Sequence, residues 1–261
     1  MKIALLQMDI VWGDPEENVR KAEALRASQP GADLYVLPEM WATGFATRPE
    51  GIAEKESHSV ALDWMKKTAC DYSCAVCGSL AVEVEDEQGG SYRNRQYFVT
   101  PDSISYYDKH HLFSHGHEDE HYTAGQTHTL VNWKGVRFLL LTCYDLRFPV
   151  WARYGWAGVY DAIIYVANWP HSRMDAWNVL THARAIENQS YVIAVNRVGS
   201  DPACSYTGGS VMIDPIGRTI CACKNETEHS LLAMLSLDDL QKARAHFKVL
   251  QDEDKPQDFF V

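Results

Sequence analysis

The sequence has no apolar stretch long enough to cross a bilayer. Its longest apolar runs, such as Ala162 to Ala167, fall far short of the roughly 20 residues a membrane helix needs. It also lacks basic excess: 24 Lys+Arg stand against 35 Asp+Glu, a formal net charge of −11. With no basic run to meet phosphates, nucleic acid is excluded as a partner. A secretory signal is missing at the start, where Gln7 and Asp9 break the short apolar run after Lys2. A cytoplasmic location is the expectation. No Pro/Ser/Gly-rich linker and no 20–50-residue repeat divides the chain. We therefore expect one domain over residues 1–261, with a tail from about 246, although 261 residues alone suggest between one and two.

What is present is ordinary for a folded protein: 46% hydrophobic and 11% aromatic residues exclude a disordered chain. Seven cysteines, an odd number, argue against a disulfide framework. Most should be buried as small hydrophobes. Cys74-Ala-Val-Cys77 has redox spacing, but within a buried strand its thiols would face opposite sides.

Strand and helix patterns alternate along most of the chain. Lys2 to Met8 reads as a strand. Asp14-Pro15-Glu16-Glu17 then opens a helix, with Asp as N-cap and Pro at the first helical position. Leu34 to Leu37 is a short strand and Ser59 to Tyr72 a helix. Cys74 to Glu85, Ser91 to Val99 and Ser103 to Tyr107 form an antiparallel meander, turning at Gln88-Gly89-Gly90 and Pro101-Asp102. Val136 to Thr142 is a central strand. Leu146 to Trp156 is predicted as a helix, Asp161 to Val166 as a strand, and Ser172 to Asp175 as a capping box opening a helix to about Asn188. Tyr191 to Asn196, Gly209 to Ile213, Thr219 to Ala222 and Leu231 to Leu235 are the last strands. The pattern is α/β, with two sheets covered by helices.

Three segments end predicted strands: Leu37-Pro38-Glu39-Met40-Trp41, Tyr107-Asp108-Lys109-His110-His111-Leu112-Phe113, and Leu140-Leu141-Thr142-Cys143-Tyr144-Asp145-Leu146-Arg147-Phe148-Pro149. Strand ends in α/β sheets are where ligands bind. Cys143 falls where a strand turns into a helix, so backbone N–H groups and the helix dipole would favour a thiolate there. Taken singly, Glu39 and Lys109 read as solvated surface groups, whereas the position of Cys143 favours a functional thiol over one more core cysteine.

Together these segments, with Asn168-Trp169-Pro170, Arg184-Ala185-Ile186-Glu187-Asn188 and Gly208-Gly209-Ser210, resemble the carbon–nitrogen hydrolase (nitrilase) superfamily. The resemblance runs from Met1 to about Leu235. It implies a four-layer α-β-β-α sandwich and a Glu-Lys-Cys triad. Cys143 would attack an amide carbon to form a thioester, and Glu39 would move the protons. Lys109 and the Tyr144 N–H would stabilise the oxyanion. The resemblance also implies a second glutamate. Glu118 and Glu120 compete for it, and Glu118, seven residues before Gly125, fits the family spacing better. The crowded histidines His110, His111, His115, His117, His121 and His128 match no zinc signature, and the triad needs neither metal nor cofactor.

Length and the Cys143 segment resemble the omega-amidase branch most. That branch hydrolyses the terminal amide of 2-oxo dicarboxylic acid monoamides such as 2-oxoglutaramate and 2-oxosuccinamate. Other amides, a nitrile, or a non-catalytic metal-binding or interaction role are the alternatives. The substrate's carboxylate would need a cation within a chain of charge −11. Arg173, at a predicted helix start, is the candidate, whereas Arg147 is expected in a structural ion pair. Phe45, Trp41, Asn168 and Trp169 would line the pocket. Relatives usually pair as homodimers, and Trp151, Tyr154, Trp156 and Tyr160 could supply the aromatic surface.

Overall fold

A computed structural model describes residues 1–85 and 90–252. The strands are β1 (Lys2–Gln7), β2 (Leu34–Val36), β3 (Glu54–Lys55), β4 (Ala75–Val84), β5 (Ser91–Val99), β6 (Ile104–Asp108), β7 (Leu130–Trp133), β8 (Val136–Thr142), β9 (Ala162–Ala167), β10 (Tyr191–Asn196), β11 (Val198–Ser200), β12 (Ser205–Thr207), β13 (Val211–Ile213), β14 (Thr219–Ala222) and β15 (His229–Met234). The helices are α1 (Pro15–Ala27), α2 (Val60–Tyr72), α3 (Pro149–Ala152), α4 (Met174–Asn188) and α5 (Leu237–His246).

One sheet runs β15-β1-β2-β4-β5-β6, with β3 alongside β4, and a second runs β14-β13-β10-β9-β8-β7. β1, β2 and β4 are parallel, as are β8, β9 and β10, while β4, β5 and β6 form the antiparallel meander. Side chains alternate across a strand. Thus Ile3, Leu5, Val36 and Cys77 join Phe138, Leu140 and Ile164 in a core shared by the two sheets, where the Phe98 and Phe138 rings lie 5.6 Å apart. Ala4, Leu6, Tyr35 and Val76 point the other way, onto Ala22 of α1 and Leu62, Met65 and Ala69 of α2. Trp177 and Ala185 of α4 cover the second sheet. These are the four layers.

Local chemistry explains the helix starts. Asp14 accepts from the Glu17 N–H at 3.0 Å with Pro15 in the first turn, and Ser59 accepts from the Leu62 N–H at 3.0 Å. Two expectations need correction. Leu146 to Trp156 is not one helix: Cys143–Arg147 forms a 3₁₀ turn, followed only by the four residues of α3. Pro149 holds Phe148 extended (φ −112°, ψ 91°), which ends the turn. Ser172 does not cap α4 either. Residues His171–Arg173 form a 3₁₀ turn, Arg173 is the N-cap, and no side chain caps it.

Of the aromatic residues proposed as a surface, Tyr160 is fully buried and Tyr154 packs edge-on against it under Arg244. Burial removes Tyr160 from any such surface. Gln88, Gly89 and the tail beyond Asp252 lie outside the described residues. No helix among the described residues is long and apolar enough to cross a membrane.

Candidate active site

The site lies where strands end. Glu39 follows β2, Lys109 follows β6, Cys143 follows β8 and Asn168 follows β9. Glu39, Lys109 and Glu118 are fully or almost fully buried, and Cys143 is 8% exposed. The Lys109 Nζ donates to Glu39 Oε1 at 2.9 Å and to Glu118 Oε2 at 2.8 Å. Glu118 Oε2 also accepts the Phe113 N–H at 2.7 Å, and Glu39 Oε2 accepts the Asn168 N–H at 2.8 Å. Glu120 is exposed and lies 2.8 Å from His117 Nδ1, away from this cluster.

Backbone geometry delivers each group. Met40, after Glu39, has φ 42°, and its N–H bonds Ser79 Oγ at 2.9 Å. The Gly125 N–H donates to the Lys109 carbonyl at 3.0 Å. A Cβ at Gly125 would stand 2.1 Å from the Asp108 carbonyl oxygen, so only glycine fits. Cys143 sits at φ 45°, the left-handed region that a non-glycine residue rarely adopts. Such strain persists only where neighbours over-determine it. Asp145 supplies that constraint: its carboxylate accepts the Thr142 N–H at 3.0 Å, the His111 N–H at 3.0 Å and the Tyr107 hydroxyl at 2.8 Å. Arg184 of α4 donates to the Leu146 carbonyl at 2.7 Å from behind. As second residue of the 3₁₀ turn, Tyr144 has an N–H with no acceptor inside that turn.

Burial opposes the charge on Lys109, but Glu118 and Glu39 hold its ammonium well above the ordinary lysine value. Burial pushes the Glu118 carboxyl up, while Lys109 pulls it back. Cys143 corrects the expected thiolate. Burial, then the charge of Glu39, push its thiol well above the ordinary value, and Lys109 only partly offsets them. A single 3₁₀ turn offers little helix dipole against that burial.

Cys143 opens into a pocket lined by Phe45, Tyr144, Arg147, Asn168, Trp169 and Arg173, among others. The Arg147 guanidinium lies 5.0 Å from the Trp169 ring centre, and that of Arg173 lies 5.1 Å from the Phe113 ring centre. No hydrogen-bond or ion-pair partner for either guanidinium is found among the described residues. This overturns the structural ion pair expected for Arg147. Trp41 is also misplaced by sequence reasoning. It is fully buried against Trp64 in the helix-facing core, and its indole N–H has no partner among the described residues.

The histidines go elsewhere. His110 and His128 stack on the Trp151 ring at 3.7 and 3.8 Å, and His111 stacks on Phe148 at 3.7 Å. Among the described residues no group of three His, Cys, Asp or Glu could hold a metal ion. Cys74 and Cys77 lie in different core clusters, one on each side of the sheet.

Sequence reasoning missed Asn94, Ser79 and Asn196. Asn94 Nδ2 donates to Glu39 Oε1 at 2.7 Å and to Glu118 Oε1 at 2.9 Å. Asn196 grips the 168–169 loop, accepting the Trp169 N–H at 2.7 Å and donating to the Trp169 carbonyl at 3.0 Å. All three are buried polar residues on strands, which was the only available signal.

Residues 2–245 match the family model for carbon-nitrogen hydrolase. The chain is 41% identical to Omega-amidase YafV of Escherichia coli strain K12, over 98% of this chain and 97% of that protein. It is 35% identical to 2-oxoglutaramate amidase of Bacillus subtilis, over 96% of each chain. The crystal structure of XC1258 from Xanthomonas campestris, a CN-hydrolase superfamily protein with an arsenic adduct in its active site, superposes with a TM-score of 0.91. It is 36% identical and is matched over 98% of this chain and 97% of that one. A buried acid–lysine–acid cluster beside a strand-end thiol and similarity along nearly the whole chain lead to one assignment: this chain belongs to the carbon-nitrogen hydrolase family, hydrolases of carbon–nitrogen bonds other than peptide bonds.

Proposed function

We propose that this protein is an omega-amidase, formed by one domain over residues 1–261, that hydrolyses the terminal amide of 2-oxo dicarboxylic acid monoamides, 2-oxoglutaramate and 2-oxosuccinamate. The observation that carries the reading is the buried Glu39–Lys109–Glu118 cluster beside Cys143, with the Arg147 and Arg173 guanidinium groups, which have no ion-pair partner among the described residues, on the same cavity. The named activities of the E. coli and B. subtilis relatives support it.

In this mechanism the Cys143 thiol attacks the amide carbon as its proton passes to Glu39. Lys109 has three N–H donors, two of them on Glu39 and Glu118, which leaves one for the oxyanion. The Tyr144 N–H is the second donor, and losing one such donor costs about 3 kcal/mol of transition-state stabilisation. Collapse breaks the carbon–nitrogen bond, and Glu39 returns the proton to departing ammonia, leaving an acyl thioester. Glu39 then takes a proton from water as that water attacks the thioester. The acid leaves and Cys143 is reprotonated. Glu118 holds Lys109 in place. Arg173 and Arg147 bind the far carboxylate, and Phe45, Asn168 and Trp169 wall the cavity.

The test is ammonia release from 2-oxoglutaramate, 2-oxosuccinamate, glutamine, asparagine, a short aliphatic amide and a nitrile, with Cys143→Ala as control. Preference for the two 2-oxo amides is expected. Ammonia from the nitrile alone overturns the reading. The proposal includes a homodimer, which light scattering checks.

A further inference from the structure

Asn94 is enclosed by groups that fix its orientation. Ser79 Oγ accepts the Met40 N–H at 2.9 Å, so its single hydroxyl hydrogen is free to go to Asn94 Oδ1, 2.8 Å away. That assigns Oδ1 as the acceptor and turns Nδ2 toward the acids. Both Nδ2 hydrogens are then used, one on Glu39 Oε1 and one on Glu118 Oε1. Lys109 Nζ bridges the same two carboxylates from another side. The four groups form a closed ring in which two donors alternate with two acids, all of it buried.

The ring poses an electrostatic problem. Two carboxylates share one ammonium away from water, and like charges held close favour protonating one of them. A second cation would solve this but would compete with Lys109 for the acids. A neutral amide lowers the energy of both carboxylates without adding charge. It also leaves the third Lys109 hydrogen uncommitted.

We propose that Asn94 is a positioning residue for the reaction: its side-chain amide, oriented by Ser79, gives one N–H to each of Glu39 and Glu118 and so supports Glu39 as the acceptor of the Cys143 proton. This rests on Glu39 acting as the base. It predicts that losing the amide moves the acid limb of activity to higher pH, because a carboxylate deprived of a donor holds its proton more tightly.

The test uses the full-length protein with Asn94→Ala, Asn94→Asp and Ser79→Ala. Two pH profiles are measured for each: kcat/KM for ammonia release from 2-oxoglutaramate, and the rate of Cys143 alkylation by iodoacetamide without substrate. Asn94→Ala is expected to lower kcat/KM about 10- to 100-fold at neutral pH, mostly through kcat, for two lost bonds to charged groups. Its acid limb should rise by about one pH unit in both profiles. Asn94→Asp keeps the shape but brings a third acid and at most one O–H donor, so its limb should rise further. Ser79→Ala should shift the limb the same way by less. Acid limbs that stay in place, recovery of the wild-type profile in Asn94→Asp, or a loss confined to KM and thermal midpoint each overturn the proposal. If Asn94→Ala does not fold, an unmoved limb in Ser79→Ala overturns it alone. If no amide yields ammonia from the wild type while the alkylation limb still moves, the substrate reading fails and the role of Asn94 stands.

Discussion

The Tyr107 hydroxyl donates to Asp145 Oδ2 at 2.8 Å, tying the strand that leads to Lys109 to the turn that carries Cys143. The same oxygen of Tyr107 accepts the His110 N–H at 3.1 Å and the Trp151 indole N–H at 3.0 Å. Tyr107→Phe therefore strands two N–H donors and takes one donor from a buried carboxylate. We expect a loss of about 1–3 kcal/mol of stability. We also expect a fall in kcat, because the strained φ of Cys143 loses a constraint. Chemical denaturation and steady-state kinetics check this; a variant with wild-type stability and kcat contradicts it.

Cys143 should be the thiol that iodoacetamide labels fastest. Burial pushes Cys74 up to about 11 and Cys77 up to about 12, and neither has a base beside it. Burial also pushes the Cys143 thiol up, so in the proposed mechanism its reactivity depends on Glu39 taking the proton. Glu39→Gln should slow labelling of Cys143 at pH 7 while leaving the other cysteines unchanged. Peptide mapping of the alkylated protein reads this out, and equal labelling of Cys143 in both forms contradicts it.

The two cavity arginines should act on charge, not on chemistry. Arg173→Ala and Arg147→Ala are each expected to raise KM for 2-oxoglutaramate about 10-fold, the scale of one lost charge-assisted contact. KM for a short neutral amide should stay near wild type. Equal effects on both substrates would assign the arginines to packing on Phe113 and Trp169.

Asp161 gives a pH-dependent stability prediction. Burial raises its carboxyl, but the Arg137 guanidinium and N–H, with Arg244 beyond, hold it below its ordinary value of 3.8. A carboxyl lowered in the folded state adds stability above its unfolded value, and loses it as pH falls through the folded one. Asp161→Asn should therefore lower the thermal midpoint at pH 7. The gap to wild type should narrow below pH 3.8. A gap independent of pH between 7 and 3 falsifies the prediction.

Much of the site could be read along the chain because its residues sit at punctuation points. Glu39, Lys109 and Cys143 each follow a strand, and strand ends are visible in sequence. Glu118 was distinguishable from Glu120 only by its spacing to Gly125, and burial now separates the two sharply. Asn94 carried no such mark. It lies inside a strand whose neighbours include two arginines and a glutamine, and nothing local says that its amide faces two acids. Trp41 shows the opposite failure. It adjoins Glu39 in sequence, but the Met40 backbone turns it into the helix-facing core. Pro149 was in plain view, yet the apolar pattern around it read as helix because periodicity does not register the extended residue that a proline imposes before it.

Local chemistry along the sequence determined the element order, the helix caps at Asp14 and Ser59, the absence of a membrane-length apolar run, and the strand-end residues that mark the family. These depend on backbone propensity and side-chain alternation over a few residues. Only the tertiary structure decided that burial and Glu39 push the Cys143 thiol up, that Arg147 has no ion-pair partner among the described residues, and that one asparagine joins two glutamates. Each is a matter of burial and of groups distant along the chain, and electrostatic energies inside a protein are set by what surrounds a charge, not by what precedes it in the chain.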